Sequence, residues 1–325
     1  MEGVNLLLYK NEQLYDITML VVSITWKGRK GAAARSIDVT LMDDCQRERA
    51  GINVEDGQQC IFIYNGEELF RGMIELQKNP MSATMTFTAY DNGIYLANNK
   101  DTFTYSDKTA TDVFKDCCAR YEIPYSEATQ TTHRIAELIK PNTTAFDAIC
   151  NALQLDYENT GVRHFMMSKQ GKLRLLTRRE NVLQWVIEPG HNLINYSYQK
   201  SIEGVKTRVK ILSKENTVVA EKTNPDLEKR IGIRQDIERP KDDVPVSQYT
   251  ELASKLLDEK SLPKRSLDVE ALGLPDVISG IGAYIILPDL DISRTFYVDE
   301  DVHTFNGNVH TMRLKLNFAT DIGAD

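Results

Sequence analysis

Patterned cysteine, tryptophan, basic charge and long apolar runs are all in short supply in this chain, and each shortage removes a class of protein. The five cysteines (Cys45, Cys60, Cys117, Cys118, Cys150) are odd in number and include no C-x-x-C. They read as reduced, mostly buried thiols made in a cytosol rather than a disulfide framework. A zinc site needs clustered ligands that this spacing does not offer. No segment approaches the roughly 18 continuous apolar residues of a membrane span, so no membrane partner is expected. The opening MEGVNLLLYKNEQ has an acid at position 2, a very short apolar run and no small-residue cleavage site, and does not read as a secretory signal. Acidic residues outnumber basic ones by 47 to 39. The resulting net charge of −8 argues against a protein built for specific nucleic-acid binding, which normally shows a basic face. Two tryptophans are few for a sugar-binding surface built on aromatic platforms.

What is present is strand pattern, in two blocks, with a mixed block between them. Ile37, Val39 and Leu41 alternate with Asp38 and Thr40, and CIFIYNGEELFRGMIELQ reads as two strands about a turn at Asn65-Gly66. Met85, Phe87 and Ala89 continue in phase. Several short strands separated by turns point to a small barrel or sandwich over residues 1–94. In FTAYDNGIYLANNKDTF the Asn92-Gly93 pair alone signals a hairpin, yet Asp91 before Ile94, Tyr95 and Leu96 reads as the cap of a short helix. The second reading makes this stretch a border between domains. Thr109-x-x-Asp112 and Thr144-x-x-Asp147 then open two helices whose apolar faces carry Val113, Phe114, Cys117, Cys118 and Tyr121, and Phe146, Ile149, Cys150 and Leu153. A hairpin turning near Gln170-Gly171 completes an α+β unit over 95–192. Strands return from 193 to 325, interrupted by a polar stretch, 214–243, read as a surface excursion, and by an amphipathic helix at about 247–260 with Ser247 as its candidate cap.

The two strand blocks resemble each other. Asp56–Ala89 can be laid on Ser279–Leu316, with Gly57 on Gly280, Phe70 on Phe296, and Met85-Phe87-Ala89 on Met312-Leu314-Leu316. Upstream, Ile37-Val39 is set against Val209-Ile211. The fold class expected is mainly β with α+β: two similar small barrel-like domains flanking an α+β domain.

Sites of chemistry are hard to assemble. No nucleophile elbow, P-loop, H-E-x-x-H or EF-hand loop occurs, and Gly28 and Gly31 of GRKG lack a Rossmann setting. His303 and His310, in HTFNGNVH, face each other if Asn306-Gly307 forms the turn, but two imidazoles without a third ligand make a poor metal site. Asp43-Asp44, Asp242-Asp243 and Glu300-Asp301 could be paired carboxylates of a glycosidase, and read more simply as solvated turns. Cys117-Cys118, near Lys115 and Arg120, could hold a reactive thiol, but its apolar face favours packing. Arg174, Arg178 and Arg179 form a basic strand edge, and Trp26 is read as core. No catalytic, cofactor-binding or metal-ligating residue is assigned, and no cofactor.

Taken in order, YDITMLVVSITWKGRKGAAARSIDVTLM, GEELFRGMIE, TAYDNGIYLANNKDTFTYSDKTATDVFKDCCARYEIP and TFYVDEDVHTFNGNVHTMRLKL resemble the XkdQ-type tail proteins. These belong to defective prophages and phage-tail-like bacteriocins of Gram-positive bacteria and are related to the late control protein D family. The resemblance implies a non-enzymatic baseplate hub: a homotrimer whose six barrel domains form a pseudo-hexameric ring between a sixfold tail tube and a threefold spike. The partners it implies are the tail tube protein, the central spike protein, baseplate wedge and LysM-type tail proteins and a tape-measure protein. It places the chain in a virion or tail-like particle, assembled in the host bacterial cytoplasm. The competing readings are a tail-associated cell-wall hydrolase and a wall- or carbohydrate-binding module.

Overall fold

A computed structural model describes residues 2–42, 54–78, 84–213, 215–239 and 245–318. The chain is mainly β. By compactness it divides into residues 1–197 with 268–325, and residues 198–267.

The first strands are β1 (Val4–Lys10), β2 (Gln13–Asp16), β3 (Val21–Arg29), β4 (Ser36–Met42), β5 (Gln59–Tyr64), β6 (Glu67–Lys78) and β7 (Thr84–Asp91). Their alternation has the expected consequence: Ile24 and Trp26, Ile37, Val39 and Leu41, and Met85, Phe87 and Ala89 all turn inward into one buried core. The β5–β6 hairpin closes on Asn65 and Gly66, both at positive φ, with Tyr64 opposite Glu67.

Strand β7 runs into helix α1 (Ile94–Asn98), not into a hairpin. Gly93, not Asp91, is the capping residue. Asp91 is the last residue of β7, and its buried carboxylate accepts from the Gly93 and Arg35 backbone N–H groups. The chain turns there because a side-chain acceptor replaces ladder hydrogen bonds. Position 93 must be glycine for steric reasons, since a Cβ would lie 1.9 Å from the Ala33 carbonyl oxygen.

Next come β8 (Lys100–Thr109), α2 (Ala110–Arg120), β9 (Tyr125–Ala128), β10 (Arg134–Thr144), α3 (Ala145–Thr160), β11 (His164–Lys169) and β12 (Lys172–Thr177). Thr109 and Asp112 form a reciprocal capping box, and Thr144 caps α3 through the Asp147 N–H. Helices α2 and α3 bury Val113, Phe114, Cys117, Cys118, Ala148, Ile149 and Ala152 against β8, β10 and β12. Arg174 lies on β12, the middle strand of the β11-β12-β9 sheet, and Arg178 and Arg179 follow in a short 3-10 turn, so the three arginines do not form a strand edge.

Strands β13 (Val182–Ile187) and β14 (Leu193–Ser201) return to the large sheet. Residues 215–239 of the polar stretch are folded rather than a bare excursion. Strands β15 (Arg208–Leu212), β16 (Val218–Thr223) and β17 (Gln235–Glu238) make a small sheet, with α4 (Pro225–Ile231) between its last two strands. Asn224 caps α4 ahead of Pro225. Helix α5 (Tyr249–Lys260) covers this sheet with Ala253 and Leu257, which pack on Val209 and Ile211. Ser247 lies in a preceding short turn and does not cap α5, whose first turn has no side-chain cap.

The closing strands are β18 (Lys264–Leu272), β19 (Gly282–Leu287), β20 (Ile292–Asn306) and β21 (Val309–Asn317). The large sheet has the order β14-β18-β21-β20-β3-β4-β7-β6-β5-β1-β2, with β19 on β20 and β13 on β19. One order therefore occurs twice: β3-β4-β7-β6-β5 and β14-β18-β21-β20-β19. The likeness extends to single hydrogen bonds. Gly57 N–H donates to Ile74 O at 2.8 Å and Ile74 N–H to Gln58 O at 2.9 Å; Gly280 N–H donates to Val298 O at 2.9 Å and Val298 N–H to Ile281 O at 3.0 Å. Both strands then shift register at once, after Ile74 and after Val298. The upstream match needs correcting: the counterpart of β4 is β18, with Leu267, Val269 and Ala271 buried, whereas Val209-Ile211 belongs to the separate small sheet. Both segments alternate well enough to be matched; only the pairing distinguishes them.

Replacing Gly93 with alanine should destabilise the protein by about 1–3 kcal/mol, because backbone, not a flexible side chain, occupies the Cβ position. A urea midpoint unchanged from wild type would refute this account of the β7–α1 corner.

Candidate functional site at the junction of the strand repeats

The two repeats meet where β20 pairs antiparallel with β3, with Glu300 opposite Arg29 and Asn306 opposite Ser23. Past its register shift, β20 turns Asp301, His303 and Phe305 inward, a face with two polar residues out of three. Opposite them on β3 lie Gly28, Trp26 and Ile24. A carboxylate that is 0% exposed has to be neutralised, and Arg35 does this from the connection between β3 and β4. Its Nη1 donates to Asp301 Oδ1 at 2.9 Å and its Nη2 to Asp301 Oδ2. The Ser279 N–H donates a third bond to Asp301 at 2.6 Å. The guanidinium lies 4.2 Å above the Trp26 ring. It passes over Gly28, where a Cβ would sit 2.2 Å from Nη1. Gly28, without a role in any nucleotide fold, is here the space the arginine needs.

Next to the ion pair lie the two histidines. Their rings meet, His303 Nδ1 to His310 Nε2 at 3.0 Å, but not through the expected register. Phe305 faces His310, His303 faces Met312, and the tip is Gly307-Asn308, a slip of two residues. The slip stacks His310 on Phe305 at 4.0 Å between centroids, burial that an Asn308 opposite Phe305 would forfeit. His303 Nε2 lies 3.0 Å from the Val277 carbonyl, which can only accept, so Nε2 carries the proton. His303 Nδ1 is then the acceptor for His310 Nε2–H. A proton on His303 Nδ1 would oppose a donor. Burial, the larger cause, holds His303 down to about 4 and His310 down to about 3. Asp91 moves the other way, pushed up to about 6 by burial.

The remaining candidates are dispersed. Glu300 is exposed while Asp301 is buried, on opposite faces of β20, so they are not a carboxylate pair. Asp43-Asp44 and Asp242-Asp243 lie outside the described residues, as does Cys45. Burial pushes the Cys117 thiol up to about 11 and those of Cys118 and Cys150 up to about 12, which removes thiolate character. Arg174 pairs with Glu127, and Arg178 is buried with its guanidinium 4.3 Å above the Tyr297 ring. Among the described residues no cluster of three or more His, Cys, Asp or Glu could hold a metal, and no helix is long and apolar enough to cross a membrane. Sequence reasoning missed Arg35, Ser279 and Asp301 as a unit. The available signal was a charged residue in phase with His303 and Phe305 on a strand, at Asp301.

This mainly β chain, with a strand order repeated in one sheet, shares its fold with prophage tail proteins of known structure. It superposes on the 43 kDa tail protein of prophage MuSo2 from Shewanella oneidensis with a TM-score of 0.73 at 13% identity, over 98% of this chain and 97% of that one. It also superposes on the E. coli c3393 protein, TM-score 0.57 at 9% identity, over 94% and 75% of the two chains. That protein is a component of the type VI secretion system, structurally similar to the T4 tail proteins gp27 and gp5. The YqbQ-like family pattern matches residues 24–317, and the chain belongs to the YqbQ-like family. Two Bacillus subtilis (strain 168) proteins, the uncharacterised YqbQ and XkdQ of the phage-like element PBSX, are each 31% identical over 302 residues, 92% of both chains.

Arg35→Met strands Asp301 as an uncompensated buried charge and should cost about 3–5 kcal/mol in urea unfolding. Adding Asp301→Asn, whose amide oxygen still accepts from Ser279 N–H, should recover at least half; a double variant no more stable than Arg35→Met refutes the pairing. The histidines predict acid sensitivity. Their folded values lie below the ordinary 6.5, so their contribution is complete above pH 6.5 and is lost as pH falls towards 4 and 3. Asp91 has the opposite sign, its contribution being lost as pH rises from 3.8 through about 6. The histidines dominate, and stability should fall by about 3 kcal/mol between pH 7 and 4. A level urea midpoint across that range contradicts this.

Proposed function

We propose that the chain is a structural hub of a phage-type tail baseplate, acting by assembly and not by turnover. The observation that carries the reading is the repeated strand order joined inside one chain by the β20–β3 ladder. A chain carrying two equivalent strand units is suited to a symmetry mismatch, since three copies present six similar units to a sixfold tube and three chains to a threefold spike. Membership beside XkdQ of a phage-like element, and the likeness to a protein related in structure to gp27 and gp5, support the same reading.

In this arrangement residues 1–94 and 193–325 supply the tube-like strand domains, completed as barrels on assembly, the second carrying the small β15–β17 sheet and α5 as an insertion. Residues 95–192 form the outer α+β domain that meets other baseplate parts. The partners are two further copies, the tail tube and central spike proteins, wedge and LysM-type tail proteins and a tape-measure protein. The chain resides in a virion or tail-like particle put together in the bacterial cytoplasm. Images of the tail tip in particles from the producing bacterium should count three copies around the axis. Two copies or six would overturn the proposal.

A further inference from the structure

The two repeats differ in one respect. After Val298, β20 continues and its outer edge is taken up from Glu300 to Asn306 by β3 of the other repeat. After the matching residue Ile74, β6 also continues to Lys78. On one side it pairs with β7, Leu76 opposite Thr88 and Lys78 opposite Thr86. On the other side β5 and the Gly57-Gln58 turn stop at Ile74, and among the described residues no strand follows them. The strand that should lie there, by analogy with β3, is a copy of its counterpart β14. Within the chain β14 ends the sheet order, bonded to β18 and on its far side to no other strand among the described residues. Both edges expose large apolar side chains, Leu76 at 44% and Ile194 at 51%. An open strand edge with apolar side chains is a template for pairing with another chain.

We infer that β6 beyond Ile74 pairs antiparallel with β14 of a second copy, repeating between chains the ladder that β20 and β3 make within one. The occupant is a second copy because the template is already built in this chain and each chain carries one edge of each kind. The contact is head-to-tail, which closes into a ring or runs on as a filament. The pairing itself follows from the repeat; closure at three copies rests on the hub reading above.

Cysteine pairs test it. Leu76→Cys is combined in turn with a single cysteine at each of positions 195 to 199, and particles from the producing bacterium are oxidised and run on non-reducing gels. At least one pair should convert the chain to disulfide-linked dimers and trimers, while Leu76→Cys alone stays monomeric. Particles that contain the chain but give no cross-link at any position overturn the strand pairing and leave the hub reading intact. Cross-linked ladders that extend beyond trimer support the pairing and overturn the three-copy ring. Particles without the wild-type chain overturn the hub reading, and the same oxidation of the purified double variants then decides the pairing, which an absence of cross-links at every position overturns.

Discussion

Asp301 cannot be buried without a counter-charge, and much of the architecture is arranged to supply one. The strand that carries it, β20, runs antiparallel to β3, whose only residue opposite the carboxylate is a glycine. Arg35 crosses that gap with two hydrogen bonds to Asp301. Its backbone meanwhile exchanges bonds with Asp91, Arg35 N–H to the carboxylate and Asp91 N–H to the Arg35 carbonyl. One residue thus ties the exit of the first strand repeat to the middle of the second. A buried ion pair adds little net stability over apolar packing, but it heavily penalises any register that separates its partners. The pair sets how the repeats are joined more than how tightly.

That junction also explains the neighbouring chemistry. The two histidines look like ligands or a pH sensor when seen as a pair. In place, each ring is spent on a neutral hydrogen-bond chain, His310 to His303 to the Val277 carbonyl, packed against Trp26 and Phe305. The same burial that excludes solvent from Asp301 keeps the imidazoles uncharged. The thiols of the α+β region follow the same rule, inert because they are buried. Among the described residues, Arg35, Asp301, the two histidines and the buried thiols serve packing and register.

Much of the local structure was legible without coordinates. Asn65-Gly66 and Gln170-Gly171 are tight turns with both residues at positive φ, and the Thr-x-x-Asp caps begin α2 and α3 where they stand. Elsewhere local signals competed. Asp91 carries a cap signal, yet its carboxylate serves the end of a strand. Asn306-Gly307 carries a hairpin signal, yet stacking of His310 on Phe305 moves the tip by one residue and the register by two. Residues 215–239 lack a continuous apolar face of their own, so their order came from α5 lying on β15 and β16, a contact not written in that segment.

Turn positions, helix starts and the inward phase of most strands are decided by neighbours two to four residues apart, so the sequence by itself determined them. The similarity of the two strand blocks was visible for the same reason. Tertiary structure alone decided that β18, not β15, completes the second repeat, and that Arg35 meets Asp301 across 266 residues. Alternation tells which face of a strand is buried, but not which strand lies beside it. That choice is made by the whole core at once, where each buried charge must find its partner and each glycine its obstacle.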